Sequence, residues 1–225
     1  MKILTTVKVI TEPSSQALSI KGKQVTESSI RTIDPIDYVN VLTLLGQKKK
    51  QPSLDLTVLN IGSPADRGAL ANLSTMGMNE LIQLTCSPNS ISPLDGLAKA
   101  KLLRDFVLSN SYGLVILGAQ SSDVGSSYVG PALAGLLDWP CINCVKAISH
   151  IGDNGVTVTC SDGKASLDVL VSYPCVITCD LPPQESLLLS SADLAKGQPK
   201  PITINMIAET NYELRPQLSI VESIT

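Results

Sequence analysis

The chain has 225 residues, of which 44% are hydrophobic and only 16% charged; this is enough to bury a core and excludes intrinsic disorder. With 17 Lys and Arg against 20 Asp and Glu the net charge is −3, so there is no basic footprint for nucleic acid, and no apolar run reaches the roughly 18 residues that membrane insertion through a helix needs. Aromatics make up 3%, with one Phe and one Trp, so the core falls to Leu, Ile, Val and Ala, and platforms for base stacking are disfavoured.

In chain order, Lys2 to Ile10 reads as a strand that opens at once, without the longer apolar core and cleavage site of a secretory signal. Asp34 or Asp37 caps a helix running to about Gln47, closed by Gly46 and the solvated Lys48-Lys49-Lys50. Leu54 to Ile61 is a second strand. Pro64 opens a helix through Ala65, Ala69, Leu70 and Leu73 to a stop at Gly77. Leu81 to Cys86 is a weaker strand, Pro93 opens a helix through Leu97, Leu102, Leu103 and Phe106, and Tyr112 to Gly118 (YGLVILG) is the clearest strand of all. Continuous β-branched runs without alternation suit strands buried on both faces, and the alternation with helices predicts an α/β fold, a doubly wound, mostly parallel sheet with right-handed crossovers.

After Pro140 the pattern changes. The turn signals Asp153-Asn154-Gly155 and Ser161-Asp162-Gly163 separate Val156 to Cys160 from Ser166 to Val171, which predicts an added antiparallel hairpin or meander. Pro174 to Cys179 is another buried strand. Leu181 to Pro201, rich in Pro, Ser and Gly with a short helical stretch around Ala192 to Lys196, reads as a protruding surface loop. The six cysteines include the pair Cys141 and Cys144, whose side chains would face opposite ways in a strand. Reduced cysteines acting as small core hydrophobes are the reading taken, with no metal site, since His150 is the only histidine.

Ligands of open α/β sheets collect beyond the carboxyl ends of the strands. The segment that suits such a site follows the clearest strand: Gly118, Ala119, Gln120, Ser121, Ser122, Asp123, Val124, Gly125, Ser126, Ser127, Tyr128, Val129, Gly130, Pro131. It holds three glycines and four serines and leads into a helix over Ala132 to Leu137. Small side chains at a helix start leave N–H groups free for an anion such as phosphate, although a plain loop and cap has the same composition. Catalytic constellations are otherwise absent. Asp34, Asp37, Asp123 and Asp138 cap helices and loops more readily than they pair for acid/base work. Any electron chemistry must come from a cofactor.

The opening MKILTTVKVITEP, the helix entry Ile33-Asp34-Pro35-x-Asp37, the Gly118 loop and, above all, Ala134-Gly135-Leu136-Leu137-Asp138-Trp139-Pro140 resemble the β subunit of electron transfer flavoproteins, especially its Fix-type branch. Tyr173 to Thr178, Lys200-Pro201 and Leu214 to Ile220 extend the resemblance, in order, over nearly the whole chain. It implies an adenine nucleotide alpha-hydrolase-like, Rossmann-like single domain over 1–225, with 181–201 as a recognition loop. It also implies an electron carrier and not a classical enzyme: half of a cytoplasmic heterodimer with an α subunit, FAD mainly on the α subunit, and AMP or a second FAD on the β subunit. Electrons would pass between acyl-CoA dehydrogenase-like flavoproteins, as in fatty acid oxidation, and an acceptor such as a membrane quinone oxidoreductase. By position, the resemblance puts the nucleotide against Thr6, Asp34, Asp37, Ile61 and the loop residues from Gly118 to Val129.

The chain departs from the conventional branch in three places, one of them Asp123 to Val129, which stands where that branch has acidic residues and then Asn-Gln-Thr and is closer to the Fix-type and bifurcating loops. Asp34 stands where that branch has Asn, a carboxylate better suited to a ribose hydroxyl than to a phosphate. Ser191 aligns with the docking leucine of the recognition loop, with Leu187, Leu188 and Leu189 just upstream as a substitute apolar anchor. The resemblance further implies that family members continue beyond the position of Thr225 into an arm reaching the α subunit. The alternative function is a non-redox nucleotide-binding module, homo-oligomeric and akin to universal stress proteins.

Overall fold

The computed structural model describes residues 1–12, 18–21, 24–27, 30–85, 96–161, 163–182 and 200–206. The elements are β1 (Lys2–Val7), β2 (Val9–Thr11), β3 (Leu18–Lys21), β4 (Gln24–Glu27), β5 (Arg31–Ile33), α1 (Pro35–Lys50), β6 (Asp55–Ile61), a 3₁₀ turn (Pro64–Asp66), α2 (Arg67–Ala71), β7 (Glu80–Thr85), α3 (Gly96–Asn110), β8 (Leu114–Gly118), α4 (Val129–Leu137), β9 (Cys141–Val145), β10 (Ala147–Ile151), β11 (Gly155–Ser161), β12 (Ser166–Ser172), β13 (Cys175–Cys179) and β14 (Ile202–Met206).

Seven strands form one sheet in the order β14-β7-β6-β1-β8-β13-β9, and every pairing in it is parallel. The β-branched runs lie at its centre, where both faces are covered. Ile3, Leu44, Leu56, Leu114 and Ile116 join one core layer, with α1, α2 and the antiparallel β10-β11-β12 sheet on that side. Leu4, Leu59, Leu103, Leu133 and Val176 join the other, under α3 and α4. Each fully buried Leu or Ile contributes roughly 1.5–3 kcal/mol of apolar transfer, and these central strands carry many such residues. The strand order reverses between β1 and β8, so the doubly wound architecture has its switch point where Val7 and Gly118 end their strands.

Several boundaries differ from those the sequence suggests. The opening run breaks at Lys8: its carbonyl accepts the Asp34 N–H, and the chain beyond turns off as β2 to pair antiparallel with β5. α1 continues through Lys50 past Gly46, because its lysines suit the carbonyl end of a helix and need not end it. The Pro64 segment forms only the 3₁₀ turn and a single short helix before its tight turns reach Gly77 at φ 101°. α4 starts earlier, at Val129, and stops on Asp138 at φ 55°, a left-handed position that Asp tolerates. Strand β14 carries no strong pattern in the sequence and exists by pairing along β7. Pro93, Cys86, the loop residues 183–199 and Leu214 to Ile220 lie outside the described residues.

Candidate functional site

At the switch point three segments meet through Lys8. Its N–H donates to Asp37 Oδ2 at 2.8 Å, its carbonyl accepts from the Asp34 N–H at 2.9 Å, and its ammonium donates to Ser121 Oγ at 3.3 Å and to Asp123 Oδ1. Asp34 is fully buried and caps α1: Oδ1 accepts from the Ile36 N–H at 3.0 Å. Its second oxygen, Oδ2, accepts from both the N–H and the hydroxyl of Ser122, each at 2.7 Å. One carboxylate therefore starts the helix and holds the β8–α4 loop. A Cβ at Gly118 would come within 2.5 Å of Asp37 Oδ1, so α1 approaches the end of β8 closely only because that residue is glycine.

Burial pushes the Asp37 carboxyl up to about 7, against the lowering effect of the Lys8 N–H bond and with help from the neighbouring Asp34 charge. Asp123 goes the other way. Burial raises it, but the bonds from Lys8 and Ser121 outweigh that and hold it below its usual range.

Beyond this latch the loop opens to solvent. Ser126, Ser127 and Tyr128 are exposed, and α4 begins without a side-chain cap, so first-turn N–H groups lack a capping acceptor beside the carboxyl ends of β8 and β13. The Tyr128 ring packs on Gly96, where a Cβ would stand 2.6 Å from the ring. A second polar group lies at the ends of β6 and β7. Gln83, fully buried, donates to Asn60 Oδ1 at 3.1 Å and to the Ser63 carbonyl at 2.9 Å, while Asn60 donates to the Val7 carbonyl at 3.0 Å. Asp66 accepts from Arg31 at 2.9 Å and from the Ser63 N–H at 2.9 Å.

The residues singled out from the sequence thus fall into two groups. Thr6 and Ile61, on the α3/α4 side, lie half-buried at the ends of β1 and β6, while the loop from Gly125 to Tyr128 is exposed. Asp34 and Asp37 sit behind the loop on the α1 side, buried, with bonds directed into the chain; Asp34 has its oxygens on Ile36 and Ser122. Gly118 and Ala119 form the turn out of β8, the Ala119 N–H donating to the Cys179 carbonyl, while Gln120 is exposed and Ser121, Ser122 and Asp123 belong to the latch. Lys8 is the residue that sequence reasoning missed. Its signal was available: it is the first residue beyond the carboxyl end of β1, the strand at the switch point.

Cys141 and Cys144 lie on β9, where a bulge opposite Thr178 puts Cys144 at φ 56° and exposed while Cys141 is half-buried. Both thiols are free, as are those of Cys160, Cys175 and Cys179.

Residues 43–204 match the electron transfer flavoprotein domain family. The chain is similar to the mitochondrial electron transfer flavoprotein subunit beta of Oryza sativa subsp. japonica, at 26% identity over 99% of this chain and 88% of that protein. It is also similar to the probable electron transfer flavoprotein subunit beta of Saccharomyces cerevisiae, at 31% identity over 84% and 74%, and to the corresponding subunit of Bradyrhizobium diazoefficiens, at 24% over 99% and 88%. These matches do not favour the stress-protein-like alternative.

Proposed function

The chain belongs to the electron transfer flavoprotein family, and from that premise we propose that it is the β subunit of a heterodimeric electron transfer flavoprotein, holding AMP or FAD at the carboxyl ends of β1, β6 and β8. Its role is electron transfer. The observation that carries the nucleotide part of the proposal is the uncapped start of α4 at the switch point, next to the exposed loop around Ser126. The residues fit a phosphate better than they fit a flavin ring. N–H groups and hydroxyls are at hand, whereas Tyr128 is the one aromatic in the loop.

The flavin shared with the α subunit supplies the one- and two-electron chemistry when bound. This chain's residues bind and orient. First-turn N–H groups of α4 with the Ser126 and Ser127 hydroxyls receive phosphate, Thr6 and Ile61 bound the adenosine end, and Asp34 keeps the loop in place through Ser122. Exchange of electrons with acyl-CoA dehydrogenase-like flavoproteins and a quinone oxidoreductase, through a recognition loop at 181–201 anchored by Leu187 to Leu189, belongs to the same proposal, as does a cytoplasmic location. Among the described residues no helix is long and apolar enough to cross a membrane.

The test is co-expression with an α-type subunit, followed by flavin absorbance and mass identification of released nucleotide. A yellow 1:1 heterodimer carrying AMP or a second FAD is expected. A stable, colourless heterodimer without nucleotide overturns the proposal.

A further inference from the structure

Lys8 makes two separable sets of bonds. Its main chain ties β1 to α1 through Asp34 and Asp37, while its ammonium, among the described residues, reaches only into the β8–α4 loop, to Ser121 Oγ and Asp123. The Lys8 side chain is 32% exposed and that of its Asp123 partner 40%, so the pair is weakly held and open to exchange. Asp34 and Asp37 are buried behind it, bonded to its main chain. Asp123 lies on the loop that leads into α4 and is paired with Lys8.

We propose that Lys8 is a specificity residue that trades partners: Asp123 holds its ammonium in the free chain, and the phosphate of a bound adenine nucleotide takes Asp123's place and releases that carboxylate to solvent. A dianionic phosphate is the stronger acceptor for an ammonium, and the exposed carboxylate loses little on returning to water. The inference rests on the nucleotide site described above. It adds that phosphate recognition runs through a side chain of β1's end, and that Asp123 competes with the ligand instead of contacting it.

The experiment measures binding of AMP and of adenosine, which lacks the phosphate, by calorimetry on the nucleotide-free heterodimer at fixed ionic strength. Lys8→Met weakens AMP about tenfold or more and leaves adenosine within about twofold, because the main-chain bonds remain; Lys8→Arg recovers most of the loss. Asp123→Asn tightens AMP by about two- to fivefold with adenosine unchanged, as expected when an exposed competing ion pair is removed. In the double variant Lys8→Met/Asp123→Asn that gain disappears.

Tightening that persists in the double variant means simple repulsion and overturns the exchange. So does a loss of AMP affinity in Asp123→Asn, or an equal loss of AMP and adenosine in Lys8→Met. Should the parent heterodimer bind AMP while both single variants leave its affinity unchanged, only this inference falls. Should the parent bind neither AMP nor adenosine nor FAD, the nucleotide reading itself falls with it.

Discussion

The two polar groups at the carboxyl edge of the sheet do similar mechanical work with different chemistry. At the ends of β6 and β7 the loop is held mainly by neutral amides, Gln83 and Asn60, buried among main-chain partners, with Asp66 paired to Arg31 at the rim. At the ends of β1 and β8 it is held by carboxylates and a lysine, one carboxylate buried with every oxygen engaged, one pushed up to about 7, and one half-exposed. Neutral bonds are insensitive to pH and salt, so the first group behaves as a fixed brace. Charged bonds at the switch point can change partner or protonation, which is what a ligand-responsive loop needs.

The largest expected effect distinguishes them at Asp34. Asp34→Ala removes the α1 cap and both Ser122 bonds, a loss of about 3 kcal/mol from capping and buried hydrogen bonds together. Urea unfolding checks the total, and faster hydrogen exchange at the Ser122 amide checks that the loop is what lets go; a change under about 1 kcal/mol would refute the latch.

Asp37 separates the groups by pH. Its folded-state value of about 7 lies above the ordinary 3.8, so the folded chain keeps a proton there that the unfolded chain has lost. The associated stability is fully present below about pH 4 and is lost as pH rises through about 7, by several kcal/mol. Thermal melts between pH 5 and 8 follow this slope, and Asp37→Asn flattens it; an unchanged slope in the variant assigns the effect elsewhere.

In the neutral brace, Gln83→Leu leaves Asn60 Oδ1 and the Ser63 carbonyl without the bonds they now accept, at a cost of about 1–3 kcal/mol that stays constant over the same pH range. A pH-dependent loss would erase the contrast between the two groups. The smallest effect belongs to an ion pair outside both. Lys146 and Asp180 are each 43% exposed, and Lys146→Ala changes stability by no more than about 0.5 kcal/mol.

Much of the frame was legible locally. LDLTVLNI and YGLVILG announce buried parallel strands because β-branched residues without polar alternation have no solvent face to offer, and both lie at the centre of the sheet. Asp34-Pro35 announces a helix start because a capping carboxylate followed by a residue that lacks an N–H is a local bargain, complete within one turn. The antiparallel strands after Pro140 follow from their turns. The break at Lys8 and the strand β14 were not legible, since each is made by a partner far along the chain: Asp34 and Asp37 for the one, β7 for the other.

The candidate site divides in the same way. Its small and hydroxylic residues were visible as composition, and the helix beyond them as a pattern, but the lack of a cap at its start was not. Nor were the partners of its carboxylates. Asp34 accepts from Ser122, 88 residues away, and Lys8, read from the sequence as part of a strand, holds Asp123, 115 residues away. Local order, the α/β alternation and the family resemblance are properties of near neighbours, so the amino-acid sequence determines them by itself. Sheet order, the switch point and the assignment of each charge to a partner depend on which distant segments the packed core brings within hydrogen-bond reach, so only the tertiary structure decides them.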